Sequence, residues 1–243
     1  MLAAKVIGHR GIASLAPENT LAGIHLAAEL GVEWIELDVT LLGDRTPVLS
    51  HDADLQRCAG LPKKLRELQH TDLSKLDVGS WFSEDYRGEV LPKLEQALSL
   101  IAHLDIGVNL ELKPYGWSAQ RLAEAVSQAL ESTPLPRHRV ILSCFEMEPL
   151  FTLRHLHPDW LLAPLYAKLP PDWMQQAHQL GALSLHCDWQ GLSETEIHQI
   201  KACDYELYLY TCNDPEQAEQ FWQLGVEGIF SDYPQLMPVP SLR

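Results

Sequence analysis

The chain has 243 residues, 46% of them apolar, and a formal net charge of −15. That composition supports a sizeable core, and the length suits one barrel as well as two small domains. The acidic balance argues against a broad nucleic-acid footprint, which needs a basic face, and no apolar run is long enough to cross a bilayer.

An anionic substrate remains open, provided local cations or a metal overcome the overall field. The opening Met1-Leu-Ala-Ala-Lys5 leads straight into a strand with Arg10 close behind, unlike a secretory leader. The expected location is therefore the cytoplasm. Five cysteines (58, 144, 187, 203 and 212) form no CxxC pair, which favours reduced thiols. Cys144 and Cys212 lie in apolar stretches and are expected as small core residues, not nucleophiles.

In chain order, Lys5–Gly8 is predicted as a strand ending in the polar turn His9-Arg10-Gly11. After Pro17-Glu18-Asn19-Thr20, a helix places Leu21, Ile24 and Ala28 on one side and stops at Gly31. The next strand, 34–40, puts Ile35, Leu37 and Val39 on one face and Glu36, Asp38 and Thr40 on the other. Adjacent carboxylates repel unless a cation lies between them. A half-exposed edge strand with a polar face accounts for them as well at this point. A turn at Gly43-Asp44 leads to Pro47-Val48-Leu49-Ser50-His51-Asp52. From about 53 to 90 the alternation breaks down, which predicts an inserted segment too long for a simple loop.

Regular order resumes at Leu91. A helix marked by Leu94, Leu98 and Ile101 precedes a strand over 106–113, and a helix over 118–130 precedes one over 139–143. Helix 147–156, strand 160–165, helix 171–179 and strand 182–186 follow. Ser193 and Glu196 form a capping-box pattern opening another helix, before the strand 206–210. Asp214-Pro215 opens the last helix, and 226–231 is the last strand. Eight strands alternating with helices predict an α/β protein with a closed (β/α)8 barrel, a TIM barrel with a small insertion after its second strand. The segments 30–38 and 224–232 share a Leu-Gly-Val-Glu opening, a strand and a terminal Asp, as if one αβ unit were used twice.

The unusual polar residues gather at strand ends: His9 and Arg10, Glu36 and Asp38, Glu111 and Lys113, Ser143, His186 and Asp188, Thr211 and Asn213, and Asp232. Barrels of this kind carry their active sites at the carboxyl ends of the strands, so the clustering points to an enzyme. Glu36, Asp38 and Glu111 offer three hard oxygen ligands, suited to Mg²⁺ or Ca²⁺. His9 and His51 are the right residue type for acid/base work near neutral pH, although spacing alone does not single them out among 11 histidines. Arg10 and Lys113 suit either carboxylate partners or a phosphate.

His9-Arg10-Gly11, Pro17-Glu18-Asn19-Thr20, Glu36-Leu-Asp38, His51-Asp52 with Leu55 and Arg57, and Glu111-Leu-Lys113 together resemble the glycerophosphodiester phosphodiesterase family. So do Asp77-Val-Gly79-Ser-Trp81-Phe82, Leu91-Pro92-x-Leu94-Glu95, Ser143-Cys-Phe145, Tyr210-Thr-Cys-Asn213 and Ser231-Asp-Tyr-Pro234. The resemblance covers nearly the whole chain and is tightest in its first half. It implies a (β/α)8 barrel, hydrolysis of a glycerophosphodiester to sn-glycerol 3-phosphate and an alcohol, and one divalent cation. It also implies that His9 and His51 are the acid/base pair, that Glu36, Asp38 and Glu111 are the metal ligands, and that Arg10 and Lys113 contact phosphate. This chain departs from the family pattern at Gly43-Asp44, at Cys144 and at Tyr210, where the family has Asp-Gly, Ser and Trp. The last two bear on the pocket wall.

The implied partner is a small-molecule substrate, with no nucleic acid and no stable membrane association. The nucleophile is either water or the substrate's own glycerol 2-hydroxyl. A phospholipase of related barrel type would want an apolar or basic rim, and a non-catalytic binding barrel would not need the complete catalytic set. Tyr166, Lys168, His186 and Trp189 are expected to pack or to be solvated.

Overall fold

The structure, a computed structural model, describes residues 5–238. Met1–Ala4, on which the reading of the opening segment partly rests, lie outside the described residues. Eight strands run in parallel: β1 (Val6–Gly8), β2 (Trp34–Leu41), β3 (Gly107–Leu112), β4 (Val140–Cys144), β5 (Leu161–Tyr166), β6 (Ser184–Asp188), β7 (Glu206–Tyr210) and β8 (Gly228–Ser231). Each pairs with the next in sequence, and β8 pairs back onto β1, closing the barrel. The helices between them are α1 (Leu21–Glu29), α2 (Leu94–Leu104), α3 (Ala119–Glu131), α4 (Met147–Leu156), α5 (Trp173–Leu180), α6 (Glu194–Ala202) and α7 (Pro215–Gln223).

The helix starts follow the caps in the sequence. Thr20 Oγ1 accepts the Gly23 N–H at the start of α1, Ser193 and Glu196 form the reciprocal box of α6, and Asp214 caps α7 with Pro215 behind it. Each helix then turns its apolar stripe inward, as α3 does with Leu122, Ala123 and Val126. After β8 the described chain makes a short 3₁₀ turn, Pro234–Leu236.

All eight residues of β2 are buried, which overturns the half-exposed edge-strand alternative: β2 lies between β1 and β3 in the closed wall. Because β1 is short, the upper part of β2 pairs instead with an antiparallel strand, Pro47–Leu49. The lower barrel interior is filled by Ile7, Trp34, Ile141, Ala163, Tyr208 and Phe230. The Trp34 ring lies so close to Gly107 that any Cβ there would collide with it. These side chains plug the lower interior, below the upper end where the strands finish.

Residues 54–86 form a small hairpin, Asp54–Leu55 with Leu61–Lys64, and several 3₁₀ turns. They have a core of their own, including Leu55, Leu65, Leu68, Leu73 and Val78, set against Leu42 and Val48 of the barrel rim. Gly43 is needed at that contact because a side chain would run into the Arg66 carbonyl.

Candidate active site

At the upper end, β2 and β3 run in register with Asp38 opposite Glu111 and Glu36 opposite Asn109. Alternation turns Glu36, Asp38 and Glu111 into the same space, and ligand oxygens of the three lie within 4.8 Å of one another. Asn19 holds Asp38 twice: its Nδ2 donates to Asp38 Oδ2 at 2.8 Å, and its Oδ1 accepts the Asp38 N–H at 2.9 Å.

Arg10 has left-handed backbone, with φ of 52°. In that turn its N–H donates to Glu36 Oε2 at 3.0 Å, and its Nη1 donates to Glu18 Oε1 at 2.9 Å. The same guanidinium reaches Asp38, with Nε 3.6 Å from Oδ2. From the end of β3, Lys113 Nζ lies 3.2 Å from Asp38 Oδ1 and also pairs with Glu111.

Crowding sets the protonation equilibria. Burial, then Asp38 and Glu111, push the Glu36 carboxyl well above its ordinary range. Burial and Asp38 push Glu111 up to about 7 against the opposing pull of Lys113. Burial acts on Asp38 as well, but Lys113, Arg10 and the Asn19 amide outweigh it and hold Asp38 below its usual value. Burial disfavours charge on Lys113, yet Asp38 and Glu111 raise its pKa above the ordinary lysine value. Glu36 Oε1 is buried and has no hydrogen-bond partner. Three crowded carboxylates, two protonating too readily and one with an orphaned oxygen, fit a hard divalent cation.

Two imidazoles flank this cluster. His9 Nδ1–H donates to Asp232 Oδ1 at 2.7 Å, which turns Nε2 toward Glu36 Oε2 at 3.9 Å. Asp232 is held by Asn213, whose Nδ2 donates to its Oδ2 at 2.7 Å and whose Oδ1 accepts its N–H at 2.8 Å. His51 repeats the arrangement: Nδ1–H donates to Asp52 Oδ1 at 2.8 Å, and Asp52 Oδ2 accepts from Arg57 Nε at 2.8 Å. These tautomers follow from the carboxylates, which can only accept. Arg57 also pairs with Glu18, the partner of Arg10, so one chain of ion pairs ties the His51 side to the triad.

All seven residues singled out in the sequence thus lie at this end of the barrel. Several neighbours of these seven escaped that reading. Glu18 and Asn19 stand inside a quoted motif but received no role, although an Asn before a helix-capping Thr was a signal. Asp232 and Asn213 were noted at strand ends and within quoted motifs but received no role, and nothing in the sequence linked them to His9. Among the doubtful residues, His186 is fully buried in the barrel beside Ser184, and burial pushes its pKa down to about 3. Tyr166 is buried and donates to Gln176, Trp189 donates to the Thr211 carbonyl, and Lys168 is exposed. Cys144 and Cys212 are buried, and burial raises both thiols, Cys144 to about 12. At the pocket wall, Phe145 packs edge-on to Tyr210 and its ring lies 5.6 Å from Lys113 Nζ.

Residues 9–236 match the model of the glycerophosphoryl diester phosphodiesterase family. The chain belongs to that family. A glycerophosphodiester phosphodiesterase of Caldanaerobacter subterraneus is 30% identical over 233 residues, covering 96% of this chain and 95% of the relative. Among solved structures, an Oleispira antarctica phosphodiesterase in complex with the product sn-glycerol-3-phosphate is 33% identical. It superposes with a TM-score of 0.91 over 96% of this chain and 94% of that one. A glycerophosphodiester phosphodiesterase from Parabacteroides distasonis is 26% identical, with a TM-score of 0.79 over 96% and 94% of the two chains. The family is one of phosphoric diester hydrolases, and the (β/α)8 barrel is its fold. No helix among the described residues is long and apolar enough to cross a membrane.

Proposed function

We propose that this chain hydrolyses glycerophosphodiesters, such as glycerophosphocholine or glycerophosphoethanolamine, to sn-glycerol 3-phosphate and an alcohol. One divalent cation, Mg²⁺ or Ca²⁺, takes part, and the whole chain acts as one catalytic unit in the cytoplasm. The observation that carries the reading is the convergence of Glu36, Asp38 and Glu111 within 4.8 Å, with Arg10 and Lys113 against them and His9 beside Glu36. Family membership supplies the substrate class.

In this reading Glu36, Asp38 and Glu111 hold the cation, which when bound supplies Lewis-acid stabilisation of the phosphoryl oxygens. Arg10 and Lys113 add positive charge where the phosphate sits. His9 and His51 present their Nε2 atoms from two sides, each oriented by a carboxylate on Nδ1. One takes the proton of the attacking hydroxyl, from water or from the glycerol 2-hydroxyl, and the other gives a proton to the departing alcohol oxygen. Attack by water gives sn-glycerol 3-phosphate directly, whereas attack by the 2-hydroxyl gives a cyclic phosphate that water opens in a second step with the histidine roles reversed. A 2-deoxyglycerol analogue separates the two nucleophiles, because only direct attack by water tolerates it.

The test is release of glycerol 3-phosphate from glycerophosphocholine and glycerophosphoethanolamine, with EDTA and then with Mg²⁺ or Ca²⁺ restored. Release that returns with a cation is expected. A folded sample that releases nothing with either ion overturns the reading.

A further inference from the structure

The cations within the site are already engaged: Arg10 with Glu18 and Asp38, Arg57 with Glu18 and Asp52, Lys113 with Asp38 and Glu111. A second set is not. Residues 58–66 carry Lys63, Lys64 and Arg66 with no acidic residue, in a chain of net charge −15. Among the described residues, neither Lys64 nor Arg66 has a carboxylate within ion-pair distance. Both line a recess of about 260 Å³ together with Thr40, Leu41, Ala53, Leu65 and Tyr115.

That recess adjoins the catalytic end. Thr40 follows Asp38 by two residues on β2 and so shares its face. The Tyr115 hydroxyl donates to the His51 carbonyl, so the wall of the recess is the support of His51. The Lys64 and Arg66 side chains are exposed, but the backbone that carries them is held in place. The Leu65 N–H donates to the Ala53 carbonyl at 3.0 Å, and the Gly43 N–H donates to the Leu68 carbonyl at 2.8 Å. The Arg66 guanidinium lies 4.8 Å from the Trp117 ring centre, and the Trp117 indole N–H donates to the Leu41 carbonyl at 3.2 Å.

We infer that this recess is a subsite for an anionic group on the alcohol half of the substrate, with Lys64 and Arg66 as its specificity-determining cations. The inference rests on the phosphodiesterase reading, which puts the phosphorus at the triad and leaves the alcohol half to extend past His51. Preferred substrates are then glycerophosphodiesters whose alcohol bears a second phosphate or a carboxylate. A choline head group brings a positive charge to the same cations and gains nothing there.

The test uses cation-loaded protein carrying both His9→Ala and His51→Ala, so that binding is read with turnover suppressed. It is titrated calorimetrically with glycerophosphocholine, glycerophosphoserine and bis(glycerophospho)glycerol. The expected result is that bis(glycerophospho)glycerol binds about 5- to 20-fold more tightly than glycerophosphocholine, from two partly exposed ion pairs. Glycerophosphoserine tells whether a carboxylate substitutes for the phosphate. The gap should shrink at high ionic strength and close when Lys64→Gln and Arg66→Gln are added, leaving glycerophosphocholine affinity unchanged. Equal affinities in the parent, a gap that survives the double substitution, or an equal loss for both ligands overturns the subsite. Turnover by the wild-type chain, followed in parallel, tests the phosphodiesterase reading separately, because the titration needs no chemistry.

Discussion

His9 and His51 receive the same treatment by different means. Each donates Nδ1–H to a carboxylate, at 2.7 Å from Asp232 and 2.8 Å from Asp52, which leaves Nε2 free of that partner. The Asp52 side is local: donor and acceptor are adjacent in sequence, and Asp52 is shared with the half-exposed Arg57. The Asp232 side spans 223 residues and exists only because β8 closes against β1. Burial works against charge on both carboxylates, but the His9 and Asn213 hydrogen bonds hold Asp232 below its ordinary value, and those of Arg57 and His51 do the same for Asp52. A local dyad can form wherever its dipeptide goes. The long-range one forms only in a closed barrel, so the orientation of His9 is tied to the fold itself.

Four experiments would break or sharpen this contrast. The largest effect is expected from His9→Ala and His51→Ala, each lowering turnover about 10²–10⁴-fold with an unchanged circular-dichroism spectrum. Near-normal turnover of either would remove that imidazole from the mechanism. Next come the two carboxylates. Asp232→Asn, which loses the charge that orients His9 inside the wall, should lower turnover about 10²-fold and shift the pH–rate profile, and Asp232→Glu should restore part of it. Asp52→Asn should cost under about tenfold, because His51 is more exposed than His9 (35% against 19%) and Arg57 remains. Equal losses would show that closure of the barrel gives His9 no special dependence.

A third experiment concerns the carboxylates between the two dyads. Glu36→Gln or Glu111→Gln should raise the Mg²⁺ or Ca²⁺ concentration for half-maximal activity about tenfold or more. An unchanged titration would exclude that residue as a ligand.

The smallest effect is on stability. Glu111 is raised to about 7 from an ordinary 4.5, so the cation-free folded state holds a proton that the unfolded chain releases. Its contribution is present below pH 4.5 and is lost as pH rises toward 7. The depressed Asp38, Asp52 and Asp232 act in the opposite sense, but below about pH 3.8. The cation-free protein should therefore melt a few degrees lower at pH 7.5 than at pH 5. An added divalent cation, which competes with that proton, should raise the melting temperature more at pH 7.5. A cation effect independent of pH across this window would break the link between the raised carboxyls and the ion.

The sequence was most informative where function is written locally. Period-two alternation put Glu36 and Asp38 on one face of a strand, the His51-Asp52 dipeptide carried its own dyad, and Ser193, Glu196 and Asp214-Pro215 marked helix starts found within a residue or two. Strand–helix alternation was enough for the barrel, because a parallel strand pair needs a crossover and eight of them close. Tertiary structure alone decided that β2 is buried on both faces and not an edge. It decided too that Asn19 clamps Asp38, that Asp232 and Asn213 serve His9, and that Lys64 and Arg66 face a recess beside His51. The physical reason is common to all of these. Local pattern reports which way a side chain points from its own strand, whereas its partner, its burial and its proton affinity depend on what the closed barrel brings across from distant parts of the chain.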